Sequence, residues 1–257
     1  MKFYVDEKER KKRRRILKLK IYGGIAAFFV LAIGIGYLTI YSPVFKIKRI
    51  DAGQNQQLID ELKNFFVGQS KITKFLGPDN ILIWQQEKIS EFLKDYSQIA
   101  ELTIEKDYFN RQVQINVRER EKFGVWCASS CFWFDKSGVL FAEAPMMEGE
   151  LINKIYDSTG RELKPGDKIL EENLLGNLLK ILNVLQKSEL WMKNLYLQDL
   201  SLQEISVESP LLPQIYFSLR FNPESTLPAI QSIKELGLAK IEYIDFRVEN
   251  RAYYKVK

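Results

Sequence analysis

The longest unbroken apolar run in the chain is Ile21 to Tyr41, IYGGIAAFFVLAIGIGYLTIY, which contains no charged residue. At 1.5 Å per residue it makes a helix of about 31 Å, matching a hydrocarbon core of about 30 Å. Tyr22, Tyr37 and Tyr41 stand near its ends, where amphipathic rings favour the membrane–water interface. The pattern predicts a transmembrane helix over 21–41. A buried core helix seldom runs this far without a polar face. A secretory h-region spans only about 7–15 residues before an A-x-A-like site, for which Gly34-Ile35-Gly36 is the one passable match.

Beyond Pro43 the periods shorten. VFKIKRIDAG alternates as a strand, and QNQQLIDELKNFFVG carries Leu58, Leu62, Phe65 and Phe66 at helical spacing. GPDNILIWQQEKISEFLKDY predicts a second helix, starting at Asp79 or Asn80 and carrying Ile81, Trp84, Ile89, Phe92 and Leu93. The strands IAELTIEKD and RQVQINVRERE follow, the latter with Val113, Ile115 and Val117 on one face. From Phe123 onward strands dominate: FGVWC, CFWFD, GVLFAEA and a set between Leu195 and Phe221. A helix from Leu174 to Leu185 interrupts them, with Leu174, Leu178, Ile181, Leu182 and Leu185 on one side. PESTLPAIQSIKELGL adds a last helix, with Ser225 or Thr226 near its start and Gly237 near its end. It feeds AKIEYIDFRVENRAYYKVK, one long strand-like ribbon from residue 239. The fold class expected is α+β: a basic tail over 1–20, the span over 21–41, a β-α-α-β-β domain over 42–119, and a mostly antiparallel β domain with flanking helices over 120–257.

Charge adds an orientation. Of the 38 basic and 33 acidic side chains, ten and three fall in residues 1–20, which leaves 28 and 30 for all the rest. Such a basic run also suits a nucleic-acid arm. Lying directly against an apolar span, it is better explained as the charge that keeps the N-terminus cytoplasmic, with some attraction to anionic lipid. Residues 42–257 are then expected outside the membrane.

Composition narrows the chemistry. The chain has no histidine, which excludes Ser-His-Asp and Cys-His catalysis and His-ligated metals. DSTG, Asp157 to Gly160, superficially matches an aspartic-protease loop but has an extra serine and no second copy; it reads as a turn, as does DKSG, Asp135 to Gly138. No G-x-x-x-x-G-K-[ST] or G-x-G-x-x-G run is present, so neither a nucleotide nor another small-molecule site is expected. Cys127 and Cys131 are spaced C-x3-C, unlike the redox C-x-x-C, and two thiols cannot close a tetrahedral metal site. A disulfide clipping a hairpin tip is the leading reading in an oxidising exterior, and free buried thiols are the other.

The terminal ribbon is the candidate site. An edge strand offers unpaired N–H and C=O groups at regular spacing, to which a partner segment adds main-chain hydrogen bonds. Arg247 offers a fork either for a partner carboxylate or for an internal pair with Asp245; Tyr253 and Tyr254 supply amphipathic contact area at low entropy cost. Val248 and Asn250 complete the set, as positions where proline would remove a ladder donor.

The β-α-α-β-β order directly outside a span resembles the POTRA domain, a module that docks polypeptides. Over essentially its whole length the chain resembles the bacterial cell-division family FtsQ/DivIB. The residues that carry this are SPVFKIKRIDAG, VREREKFGVWC with FWFDKSGVLF, and IEYIDFRVENRAYYK. The cysteine pair departs from commoner members. The resemblance implies a scaffold that recruits or regulates septal peptidoglycan synthesis, with FtsB/DivIC-like and FtsL-like membrane proteins as partners, the former bound as an added strand. It implies no catalytic residues, no cofactor and no metal. A membrane-anchored component of protein transport or secretion is the alternative, since POTRA-like units serve there too.

Overall fold

Lysine and arginine are good helix formers, so the helix does not stop at the edge of the apolar run. It begins within the basic stretch and continues unbroken as α1 (Glu7–Tyr41). Its segment Lys11–Tyr41 is long and apolar enough to cross a membrane, and none of its apolar window is buried within the chain. The computed structural model describes residues 7–53, 55–145, 152–190, 194–210 and 212–257. They divide into two compact units, the first comprising α1 with residues up to 92 and 102–117, the second 93–101 and 118–257. The second unit thus takes in 93–101 as well as the chain from Arg118 onward.

In the first unit, β1 (Arg49–Asp51) is followed by α2 (Gln56–Gly68), α3 (Lys71–Leu76), α4 (Ile89–Phe92), β2 (Ile99–Asp107) and β3 (Gln112–Glu119). β3 lies between β1 and β2 and runs parallel to β1. Asn55 caps α2 by accepting from Leu58 N–H, and Ser70 with Thr73 forms a reciprocal capping box on α3. The core takes Leu58, Leu62 and Phe66 of α2, Ile104, Val113 and Ile115 of the strands, and Ile81, Ile83 and Trp84 between them.

Two expectations need correction here. The strand expected from Val44 shrinks to three residues, because Ser42 and Pro43 set up a 3-10 turn over Pro43–Phe45. The single helix expected from Asn80 to Leu93 is broken. Its residues form two 3-10 turns, Ile81–Ile83 and Gln86–Lys88, and then α4, with Trp84 and Gln85 extended between them. Burying Ile83 as well as Ile81 and Trp84 requires that break, since one helix cannot turn all three to one side. Of the three residues on one face of β3, Val113 and Ile115 are buried and Val117 is exposed.

The second unit is built on one nine-stranded sheet. Its strands are β4 (Gly124–Cys127), β5 (Cys131–Phe134), β6 (Leu140–Glu143), β7 (Lys154–Asp157), β8 (Asn194–Leu197), β9 (Glu204–Ser209), β10 (Leu212–Ser218), β11 (Ile241–Phe246) and β12 (Tyr253–Val256), in the order β12-β11-β10-β9-β8-β7-β4-β5-β6. Five of its eight pairings are antiparallel. The parallel ones are β4 with β7, β7 with β8 and β10 with β11. Parallel neighbours need a crossover, supplied by α5 (Glu172–Lys187) between β7 and β8 and by α6 (Thr226–Leu236) between β10 and β11. Leu178, Ile181 and Leu185 of α5 and Ile230 and Ile233 of α6 join Ile155, Leu195, Val207, Ile215 and Ile244 in the main core, so both helices lie on one face of the sheet.

The charged exit of β3 is more than a polar face. Arg118 stays at the surface against Glu101, but Arg120 turns inward to Asp135 at 2.6 Å and donates to Ser97 O at 2.8 Å. Ser97 Oγ in turn donates to Phe141 O, which ties residues 93–101 to the second unit. The two turns read from DKSG and DSTG are present. Asp135 accepts from Ser137 and Val139 N–H, Asp157 accepts from Thr159 N–H, and Gly138 and Gly160 have positive φ.

Candidate interaction edge

A sheet edge is open only where its outward main chain meets no other donor or acceptor. At β6 the outer side is taken at its first residue: Leu140 N–H donates to Asp167 O at 2.9 Å, and Gly166 N–H donates back to Leu140 O. At β2 the Gln86 side chain stands in for a neighbouring strand, donating to Leu102 O at 3.1 Å and accepting from Ile104 N–H at 2.7 Å. β1 is only three residues long. β12 is different, with all four of its residues exposed.

The ribbon expected from residue 239 is a hairpin. β11 has a neighbour on each side, β10 in parallel and β12 antiparallel. Asp245 ends β11 by accepting from Arg247 N–H, and the connection continues through Arg251 N–H to Val248 O and a left-handed Asn250. Val248 and Asn250 therefore lie in a turn and carry no ladder bond, correcting their assignment to an edge strand. Tyr253 and Tyr254 do lie on the outer strand. Lys257 N–H donates inward to Lys240 O, so alternation turns the main-chain groups of Tyr254 and Val256 outward.

Of the two roles open to Arg247, the geometry realises the internal one. Its Nε and Nη2 grip the two oxygens of Asp245 at 2.9 and 2.6 Å, and Nη1 reaches Glu204 at 3.1 Å. Its plane also lies over the Tyr216 ring. Hydrogen bonding to Arg247 holds the Asp245 carboxyl below the usual carboxylate range, and hydrogen bonding to Asp245 pushes the guanidinium upward. This fork fixes the turn that presents β12.

On the sheet face opposite the helices, directly opposed residues form one transverse row. Cys127 faces Tyr156, Tyr156 faces Tyr196, Tyr196 faces Ser206, Ser206 faces Tyr216, Tyr216 faces Asp245, and Asp245 faces Tyr253. Tyr156 and Tyr196 stack at 5.0 Å, and burial, with help from Glu208, raises the Tyr196 hydroxyl pKa. The row ends at the open edge. At its far end Cys127 and Cys131, directly opposed across the β4–β5 hairpin, are joined by a disulfide. Neither the row nor the role of Gln86 is visible in periodicity, because the row depends on register between strands distant in sequence and Gln86 reaches β2 from a 3-10 turn.

Among the described residues no group of three or more His, Cys, Asp or Glu is arranged to hold a metal. What the edge offers instead is donors and acceptors at strand spacing beside aromatic area. No protein-family model matches the chain, and no curated protein matches it either.

Proposed function

We propose that the protein is a membrane-anchored, non-catalytic scaffold of the FtsQ/DivIB type. In this reading α1 spans the cell membrane with its basic end cytoplasmic, and residues 42–257 lie outside. The first unit serves as a POTRA-like docking module, a reading supported by its helices lying between β1 and the β2–β3 hairpin and by the parallel β1–β3 pair. The second unit receives an FtsB/DivIC-type segment as a tenth strand beside β12, and an FtsL-type protein completes the assembly that recruits or regulates septal wall synthesis. The resemblance carried by YIDFR, NRAYYK and the VRERE junction supports the division role.

One observation carries the mechanism: the outward main chain of Tyr254 and Val256 is unpaired, while Leu140 on the β6 edge and Leu102 and Ile104 on the β2 edge already have partners. Strand addition there supplies main-chain bonds worth about 0.5–1.5 kcal/mol net each, roughly 2- to 12-fold in Kd.

The test is Tyr254→Pro and Val256→Pro, which remove outward donors and leave the inward ladder to β11 intact. Titration of the full chain with a fluorescent peptide from the extracytoplasmic end of an FtsB-type protein should show weakened binding by both variants, with unchanged circular dichroism. Equal affinity for wild type and both variants rejects strand addition at this edge. A fluorescent fusion that stays evenly distributed in dividing cells rejects the division role.

A further inference from the structure

Apart from α1 itself, the first unit presents its most exposed large apolar side chains where α1 leaves it. β1 follows α1 after a short connection and runs parallel to β3, so both strands start at the end of the sheet nearest α1. The turn before β3, Tyr108 to Arg111, is therefore at that same end. Two hydrogen bonds hold it there: Arg111 Nη1 donates to Pro43 O at 2.7 Å, and Lys48 N–H donates to Arg111 O at 2.8 Å. At the tip of this turn Phe109 is 100% exposed, beside an exposed Tyr108.

A second projection stands at the same place. α3 buries none of its six residues, and Ile72 and Phe75, one turn apart, are 72% and 69% exposed. The segment after α3 returns to α1, with Asn80 Nδ2 donating to Thr39 O at 2.9 Å and Ile47 N–H to Asp79 O at 2.8 Å. In water, exposed aromatic and aliphatic tips such as these bring no benefit; beside a bilayer they fit the interface.

Length decides the depth. The uncharged run ending at Tyr41 matches the hydrocarbon core, so Thr39 lies at its boundary. The headgroup layer beyond is about 5–8 Å thick on each side, taking about 40–45 Å for the whole bilayer against about 30 Å for its core. Groups hydrogen-bonded to Thr39 O and Pro43 O are within that layer. Lys71 and Lys74 on α3 and Lys46 beside the span supply cations at phosphate level, as snorkelling side chains do.

We infer that the first unit is seated on the bilayer, with Phe75 and Ile72 of α3 and Phe109 of the β2–β3 turn inserted into the lipid interface around α1. The occupant is the outer leaflet of the membrane that α1 crosses, and the inference rests on that spanning reading. Such a seat fixes the tilt of the first unit and its height above the membrane, and restricts which of its faces a partner can reach.

Site-directed spin labelling of the full chain in liposomes, made with and without phosphatidylglycerol, tests it. No described cysteine is free, so single cysteines at Phe75, Phe109, Leu31 and Leu202 take the label selectively. All four side chains are exposed, and the substitutions leave the cores intact. Expected are preferential access of oxygen over a water-soluble nickel reagent at 31, 75 and 109, and the reverse at 202. Nickel access at 75 or 109 with a lipid-facing 31 overturns the seat while sparing the span. Shielding of 75 and 109 from both reagents means protein covers them, which overturns it equally. A water-facing 31 overturns the spanning reading itself.

Discussion

Replacing Asp157 with alanine removes an acceptor on which three groups converge. Its Oδ2 takes the indole N–H of Trp126 at 3.0 Å and Nη2 of Arg161 at 2.6 Å, while Oδ1 takes Thr159 N–H. The Asp157 side chain is fully buried and Trp126 is 1% exposed, so the indole N–H has no water to turn to, at about 1–3 kcal/mol. Arg161 is partly exposed and rehydrates, but loses a charge-assisted bond worth about 1.5–3 kcal/mol before that relief. We expect Asp157→Ala to cost about 3–4 kcal/mol and Asp157→Asn, which keeps an acceptor for the indole, about half of that. The assay is urea unfolding of the full chain in detergent, followed by tryptophan emission, with an unchanged m value. Burial opposes the Asp157 charge, but hydrogen bonds from Thr159 and Arg161 outweigh it and hold the carboxyl below its ordinary value. A depressed folded value contributes stability above the unfolded value near 3.9, and that contribution is lost as pH falls below it. Asp157→Asn should therefore flatten the acid limb of the stability profile below about pH 4. A loss under about 1 kcal/mol for Asp157→Ala at neutral pH would refute the convergence argument.

Three further outcomes follow from local geometry. Gly138→Ala forces a left-handed residue and sets a Cβ 2.8 Å from Leu175 Cδ2; a thermal scan should show about 2–3 kcal/mol lost, and an unchanged midpoint contradicts it. Gln86→Ala uncovers Leu102 O and Ile104 N–H; hydrogen exchange at Ile104 should quicken by tenfold or more, for about 1–3 kcal/mol of lost protection. Cys127→Ser with Cys131→Ser opens a ring spanning four residues of separation, worth about 2 kcal/mol in the chain-entropy account; equal denaturation midpoints with and without reductant in the wild type would reject it.

An unbroken uncharged run made α1 readable, and α2, α5 and α6 were readable because each repeats an apolar face over about three turns or more. α3 has no buried face, so nothing in Lys71–Leu76 marks it except the Ser70–Thr73 capping pair. The interruption at Trp84 and Gln85 is equally hidden, since Ile81, Trp84 and Ile89 satisfy helical spacing whether or not the helix continues. Of the candidate edge, Tyr253 and Tyr254 were legible as amphipathic strand residues. The fold-back before them was not, because it depends on the Asp245 carboxylate accepting from Arg247 N–H in competition with ladder pairing. Which edge is open could not be read at all: the answer lies with Gln86 and with residues 166–168, far in sequence from the strands they cover.

β7 has a mechanical consequence. Within the sheet, among the described residues, this four-residue strand joins the β4-β5-β6 ribbon to the five strands from β8 to β12, through the two parallel ladders on its flanks. A load applied between the ribbons would concentrate on that seam, where Ile155 is buried, Tyr156 stacks on Tyr196 and Asp157 accepts from the Trp126 indole. If the protein yields under tension, the sheet should part there first, releasing two ribbons that are each internally hydrogen-bonded.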